Sequence, residues 1–226
     1  MTNLQNKSPK VLVVGDLIID QYLWGTCDRI SPEAPVQIVK IDSENVVLGG
    51  AGNVVNNLKS LGAKVDVISV ISESQTSEIL RGLLTNIGVD TKYLISQKER
   101  INSKKSRIIA SQQQVVRYDH ESTEEINDKS QSLLLNIFEK IVMDYEIVLL
   151  SDYSKGVLTR RLTQSLIKIS RKNNTKVLID PKGSDFSKYK GAFLLTPNKK
   201  EASEATKINI QDEASLKDAI VKIKTE

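Results

Sequence analysis

Cysteine and histidine are almost missing from these 226 residues, where Cys27 and His120 each stand alone. One cysteine closes no internal disulfide, and one Cys with one His furnishes no Cys/His zinc cage, so disulfide scaffolds and zinc fingers are excluded. A nucleophile–histidine centre would have to use His120, which lies in the polar run Arg117 to Ser122 without apolar support and reads as a surface histidine. Long apolar runs are missing too, none approaching the ~20 residues of a membrane span, and Met1 to Pro9 is polar, with no signal core. A soluble cytoplasmic protein without a membrane partner is expected. The net charge of +4 comes with short, scattered basic pairs (Lys104-Lys105, Arg160-Arg161, Arg171-Lys172, Lys199-Lys200) and few aromatics, so nucleic acid is not an expected partner.

What is present is enough apolar residue, 39%, for a packed core. Short runs of Val, Ile and Leu alternate with amphipathic stretches, the pattern of strand-helix units on a parallel sheet. Strands are expected at Val11 to Val14, Val65 to Val70, Ile147 to Leu150, Val177 to Ile179 and Phe193 to Leu195, all apolar on both faces and so buried. Helices are expected from Gly52 to Leu61 and Thr76 to Ile87, each stopped by a glycine (Gly62, Gly88) suited to a left-handed cap. Two more are expected, over Lys129 to Met143 on a stripe of Leu133, Leu134, Ile137, Phe138 and Ile141, and over Asp212 to Glu226. The stretches 21–42 and 100–118 alternate like strands but carry Pro, Ser, Gln and charge, and read as ribbons projecting from the sheet.

Ligands of an open parallel sheet bind beyond the carboxyl ends of its strands. Those ends read Gly15-Asp16-Leu17-Ile18-Ile19-Asp20, Ser151-Asp152-Tyr153-Ser154-Lys155-Gly156, Asp180-Pro181-Lys182-Gly183 and Thr196-Pro197-Asn198-Lys199-Lys200-Glu201. Each is ordinary turn chemistry taken singly. Together they bring carboxylates, lysines and an amide to one rim, with Lys155 three residues after Asp152 and Lys182 two after Asp180, paired charges that suit an anionic, hydroxylated ligand. Gly49-Gly50-Ala51-Gly52-Asn53 is a glycine-rich loop feeding a helix start, and serves either close packing or an anion at free amides. It is neither a dinucleotide fingerprint nor a Walker motif. Asn198 and Glu201 fit a capping box, or a carboxylate beside a hydrated magnesium ion, and their spacing leaves both open.

The strings Gly15 to Asp20, Arg29-Ile30-Ser31-Pro32-Glu33-Ala34-Pro35-Val36, Leu48 to Asn53, Gln112 to Arg117, Leu150 to Gly156, Leu178 to Asp185 and Leu195 to Glu201 together resemble the ribokinase-like (PfkB) carbohydrate kinase superfamily, in order from about Lys10 onward. Within it they resemble the D-glycero-β-D-manno-heptose 7-phosphate kinases. The resemblance implies a doubly wound, mainly parallel sheet with helices on both faces and a small β lid formed by the two ribbons. It implies transfer of the ATP γ-phosphoryl to the anomeric hydroxyl of the heptose 7-phosphate, for ADP-heptose and lipopolysaccharide core synthesis, with ATP and Mg2+ as cofactors. A homodimer through the lid and a linked adenylyltransferase domain are further implications.

By residue match, Asp20 binds sugar hydroxyls with Asp16 nearby, and Gly49, Gly50 and Asn53 line the sugar pocket. Gln113, Asp152 and Asp180 join the substrate set, while Arg107, Lys155 and Lys182 contact phosphate. Asn198 and Glu201 serve the nucleotide, Glu201 holding magnesium through water. Three departures stand out: Ser69 to Gln75 replaces a Gly-x-x-Gly-Asp-Asp stretch, Gln112 replaces an Asn, and the Asp-Thr-x-Gly-Ala-Gly-Asp segment with the catalytic base does not occur. The base is therefore expected beyond Glu226, the 226 residues form an incomplete kinase domain, and alone they are expected to be inactive. The alternatives are a truncated, non-catalytic sugar-phosphate binding relative and a kinase for another sugar phosphate.

Overall fold

The computed structural model describes residues 8–225, so Glu226 and the first seven residues of the polar N-terminal stretch lie outside it. Six parallel strands form the main sheet in the order β10-β9-β8-β1-β4-β5. They are β1 (Lys10–Gly15), β4 (Lys64–Ile71), β5 (Leu94–Ser96), β8 (Ile147–Ser151), β9 (Lys176–Asp180) and β10 (Leu194–Leu195). The chain runs outward from β1 to β4 and β5, then returns to build β8, β9 and β10 on the other side, so the order reverses at β1. Crevices at such a reversal are where open α/β sheets bind ligands.

Alternation along β1 feeds two cores. Val11 and Val13 point to one face with Val55 of α1 (Ala51–Ser60) and Leu80 and Leu84 of α2 (Gln75–Asn86). Leu12 and Val14 point to the other, with Leu134 and Phe138 of α3 (Asp128–Ile141) and Leu162 and Leu166 of α4 (Arg160–Lys172). Helices on both faces make this the doubly wound α/β arrangement, and each fully buried Val or Leu contributes about 1.5–3 kcal/mol. The last helices are α5 (Lys199–Thr206) and α6 (Glu213–Thr225), which pack on each other through Ala202, Ile210 and Ala219. No helix among the described residues is long and apolar enough to cross a membrane.

Several expectations need correction. Helix α4 was not expected, although its stripe of Leu162, Leu166 and Ile167 has helical spacing and Thr159 caps it by accepting from the Leu162 amide. In α3 the buried stripe is Ser130, Leu134 and Phe138, and Leu133, one residue off that line, is exposed. Strand β10 is only two residues long and lies at the sheet edge, leaving Phe193 and Leu194 exposed rather than buried. The departing stretch Ser69 to Gln75 begins as the end of β4, in line with the expected strand, and the Ser69 hydroxyl donates to the Gly15 carbonyl at 2.7 Å. The glycine caps behave as expected: Gly62 and Gly88 have φ of 88° and 71°.

The first ribbon is longer than the expected 21–42, spanning 17–50, and the second, expected over 100–118, runs over 103–120. Strands β2 (Leu17–Ile30) and β3 (Gln37–Gly50) form one antiparallel hairpin, β6 (Ser103–Ala110) and β7 (Gln113–His120) another, and the second sheet runs β3-β2-β6-β7. β2 begins one residue after β1, and β3 ends where α1 begins, so both sheets meet at the carboxyl end of β1. His120 ends β7 and is exposed.

Gly82 lies mid-helix in α2, exposed, and a methyl there meets nothing within 4 Å. Gly82→Ala is expected to stabilise the fold by about 1 kcal/mol, the usual helix-propensity difference, seen as a raised urea midpoint at unchanged slope.

Candidate active site at the strand ends

Asp16 follows β1 and is buried, but its carboxylate turns toward the loop after β8. It accepts the amides of Tyr153 (2.9 Å) and Lys155 (3.1 Å) on Oδ2 and of Val157 (3.0 Å) on Oδ1. Burial pushes its carboxyl above the usual range against the pull of those amides. Its own carbonyl accepts the Ala51 amide at the start of α1. Asp16 therefore pins the loop that carries Lys155, and both oxygens are already committed.

Asp20 is partly exposed, with 21% of its side chain accessible. It lies in β2, not in a turn, and pairs across the sheet with Arg107 of β6 at 2.6 Å. The Arg107 guanidinium also lies over the Tyr22 ring, 5.3 Å from its centroid. Gly49 explains why the carboxylate fits: a Cβ there would come within 2.2 Å of Asp20 Oδ2. Gly49 and Gly50 are the last residues of β3 rather than a loop, and Asn53 is exposed in the first turn of α1. Gln113 starts β7 at the far end of its hairpin, opposite Ala110, whereas Asp20 is in register with Lys105. Five strand residues separate those positions, roughly 17 Å, so Gln113 is not brought to the rim beside Asp20.

The expected pairing of Asp152 with Lys155 and Asp180 with Lys182 does not occur. Lys155 Nζ reaches Glu121, at 2.6 Å, after the end of β7, and the other Glu121 oxygen is buried without a partner. Buried Asp152 instead holds the Lys188 ammonium and the Tyr189 hydroxyl (2.8 Å) on one oxygen, and the Ser154 amide on the other. Lys182 Nζ bonds Glu201 Oε1 at 2.9 Å. Short offsets in sequence could not show this, because each true partner comes from another element.

Asn198 and Glu201 do form the capping box of α5: Asn198 Oδ1 accepts the Glu201 amide at 2.9 Å and Glu201 Oε2 accepts the Asn198 amide at 3.0 Å. Burial pushes the Glu201 carboxyl up, but Lys182 and the Asn198 amide outweigh it and hold it below its ordinary value. The hydrogen bond to Glu201 in turn raises Lys182. The Asp180 carbonyl accepts the Asp152 amide, but its side chain has no hydrogen-bond or ion-pair partner among the described residues; burial and then the Glu201 charge push its carboxyl up. Asp152, Tyr153, Asp180, Pro181, Lys182, Thr196, Asn198 and Glu201 enclose a cleft of about 230 Å³. Burial, and then the Asp180 charge, push the Tyr153 hydroxyl up.

Among the described residues no three His, Cys, Asp or Glu side chains are grouped to hold a metal. Magnesium needs less, since it usually takes one or two carboxylates, with phosphates and water completing its shell. The unpartnered Asp180 carboxylate meets that requirement, whereas both Glu201 oxygens are taken, by Lys182 Nζ and the Asn198 amide, so Glu201 would face such an ion only through water. A larger groove of about 530 Å³ beside β10 is walled by Phe186, Phe193, Leu195, Pro197, Ile220 and Ile223 among others, and has no carboxylate in its wall. Volume alone does not make it the site. Glu121, Lys188 and Tyr189 were not legible in the sequence, since nothing local marks a partner more than thirty residues away.

Residues 8–226 match the model of the pfkB family carbohydrate kinases. The chain is 57% identical over 219 residues to the Bifunctional protein HldE of Aliarcobacter butzleri (strain RM4018), covering 97% of this chain and 46% of that protein. It is 57% identical over 224 residues to the protein of the same name from Sulfurimonas denitrificans, covering 99% and 47%. The chain thus spans about half the length of these relatives. Solved structures share the fold at low identity. Arabidopsis thaliana ribokinase complexed with ribose and ATP superposes with a TM-score of 0.69 at 17% identity over 97% of this chain and 69% of its own. The tetrameric inhibited form of phosphofructokinase-2 from Escherichia coli gives 0.72 at 17% identity over 97% and 70%. With a family model covering nearly every residue and relatives above half identity, the chain belongs to the pfkB family of carbohydrate kinases.

Proposed function

We propose that this chain supplies the sugar-phosphate site and part of the phosphate-transfer rim of a kinase that moves the ATP γ-phosphoryl to the anomeric hydroxyl of D-glycero-β-D-manno-heptose 7-phosphate. The observation that carries this reading is Asp20, fitted over Gly49 and paired with Arg107 where the two sheets meet. A carboxylate accepts sugar hydroxyls, and a guanidinium beside it meets a phosphate. Asp16 and Asp152 serve as scaffold, because their oxygens are taken by amides, Lys188 and Tyr189. Lys182 lies beside the cleft with its charge toward Glu201 and provides countercharge for a transferring phosphoryl group. Asp180, with Glu201 through water, would hold a magnesium ion, whose charge would offset that of the phosphates there. The resemblance places the general base in a Gly-Ala-Gly-Asp segment not found in these residues, so turnover is proposed for the whole protein and sugar-phosphate capture for this stretch.

The relatives' description as bifunctional accords with a kinase half joined to an adenylyltransferase. Strand β7, exposed along its length with Val115, Val116 and Tyr118, is the edge through which the lid would pair in a homodimer. ADP release by the full-length protein over a panel of sugar phosphates tests the reading. Heptose 7-phosphate is expected to be preferred by at least tenfold in kcat/KM; preference for a pentose or hexose phosphate would overturn the substrate, and no turnover of any would overturn the kinase. Calorimetry on the 226-residue chain is expected to show heptose 7-phosphate binding.

A further inference from the structure

Three neighbouring contacts form a continuous polar path beneath the cleft. Asp152, buried at the end of β8, receives the Lys188 ammonium and the Tyr189 hydroxyl. That hydroxyl accepts the Lys182 amide at 3.1 Å. The Lys182 side chain then reaches Glu201 at 2.9 Å, and Glu201 is fixed from behind by its capping box. The Tyr189 ring is anchored separately, edge-on against Phe186 with centroids 6.0 Å apart, so the phenol is held at both ends. Lys182 itself follows Pro181 and precedes Gly183 and Ser184, a stretch without helix or strand bonds to restrain it. Its main chain needs an outside anchor if the ammonium is to stay on Glu201.

We propose that Tyr189 is a positioning residue for phosphoryl transfer: its hydroxyl, oriented by Asp152, fixes the Lys182 main chain so that the Lys182 ammonium stays on Glu201 at the cleft. This rests on the proposed kinase reading and adds to it a residue that touches no substrate. Burial keeps the Tyr189 hydroxyl protonated, so it donates to Asp152 and offers its lone pair to the Lys182 amide. The bland account, a tyrosine filling the core, explains the ring but not a hydroxyl shared between a buried carboxylate and the backbone of a cleft lysine.

Tyr189→Phe separates the two accounts, because it keeps the ring against Phe186 and removes only the oxygen. In the full-length enzyme, kcat for sugar-phosphate phosphorylation is expected to fall about tenfold, with the sugar-phosphate KM within twofold. In a Lys182→Met background the same substitution is expected to add less than twofold. Equal losses in both backgrounds, a loss confined to KM, or an unchanged kcat would overturn the proposal. A second arm needs no turnover. Tyr189 and Glu201 have no direct hydrogen bond, yet Tyr189→Phe and Glu201→Gln should be non-additive by more than about twofold in the unfolding equilibrium constant, and additive once Lys182 is Met. Additivity in both backgrounds would sink the positioning role. An enzyme that phosphorylates no sugar phosphate would remove the kinase reading, while this second arm still decides whether Tyr189 acts through Lys182.

Discussion

Asp16→Ala is expected to cost about 3–5 kcal/mol of folding stability. The carboxylate is buried and accepts three amides from one short loop, at 2.9, 3.1 and 3.0 Å. Removing it leaves those donors facing a small void, and each buried donor without a partner costs about 1–3 kcal/mol. The sum is reduced where the loop relaxes toward water. The loop in question, Tyr153 to Val157, also gives its Lys155 carbonyl to Arg100 and its Gly156 carbonyl to the Ile126 amide, so freeing it loosens the approach to α3 as well. Against a total stability of about 5–15 kcal/mol, such a loss leaves the fold marginal. Asp16→Asn is expected to cost less, since it keeps the volume and one acceptor while turning an NH2 toward an amide donor. Urea unfolding of both variants checks this. A loss below about 1 kcal/mol for the alanine variant would mean that the loop is held by other contacts.

Gly49→Ala is expected to lower sugar-phosphate turnover by about a hundredfold while leaving stability nearly unchanged. The added methyl would meet Asp20 Oδ2 at 2.2 Å, and its other near neighbour is Ile18 Cβ at an ordinary 3.4 Å. Asp20 is the end of a flexible side chain, so it moves rather than the backbone, and the cost to folding is small. What moves is the group assigned to the sugar hydroxyls, and displacement by about 1 Å from a productive position can cost about 10²-fold in rate. The loss should therefore run through Asp20. Asp20→Ala alone is expected to be as severe, and the Gly49→Ala, Asp20→Ala double variant no worse than Asp20→Ala. Steady-state kinetics of the full-length protein decide it: multiplicative losses in the double variant would show that Gly49 matters for another reason, such as close packing at the start of α1.

Particular residues show how far local signals reach. The apolar strands at Val11, Val65, Ile147 and Val177 were legible because a strand buried on both faces has no polar alternation, and the glycines at 62 and 88 marked helix ends because only a left-handed residue fits there. The Asn198–Glu201 capping box was legible as one of two readings, its geometry being contained within four residues. Leu17 to Asp20 was read as a turn, since glycine and aspartate precede it, yet it begins a 14-residue strand whose pairing with β3 and β6 only the assembled sheet supplies.

The sequence by itself determined an α/β chain with carboxylates, lysines and an amide following its parallel strands, because hydrophobic period and turn chemistry act over a few neighbouring residues. Only the tertiary structure decided which charge meets which. Lys155 takes Glu121 at a separation of 34 residues, Lys188 takes Asp152 at 36, and Lys182 takes Glu201 at 19. Those partners are fixed by the order of strands in the sheet, and Coulomb attraction depends on the distance that order creates, not on spacing along the chain. The same fact separates Asp16 from Asp20, four residues apart in one motif: the fold buries the first among amides as scaffold and leaves the second at the lid, with an arginine beside it.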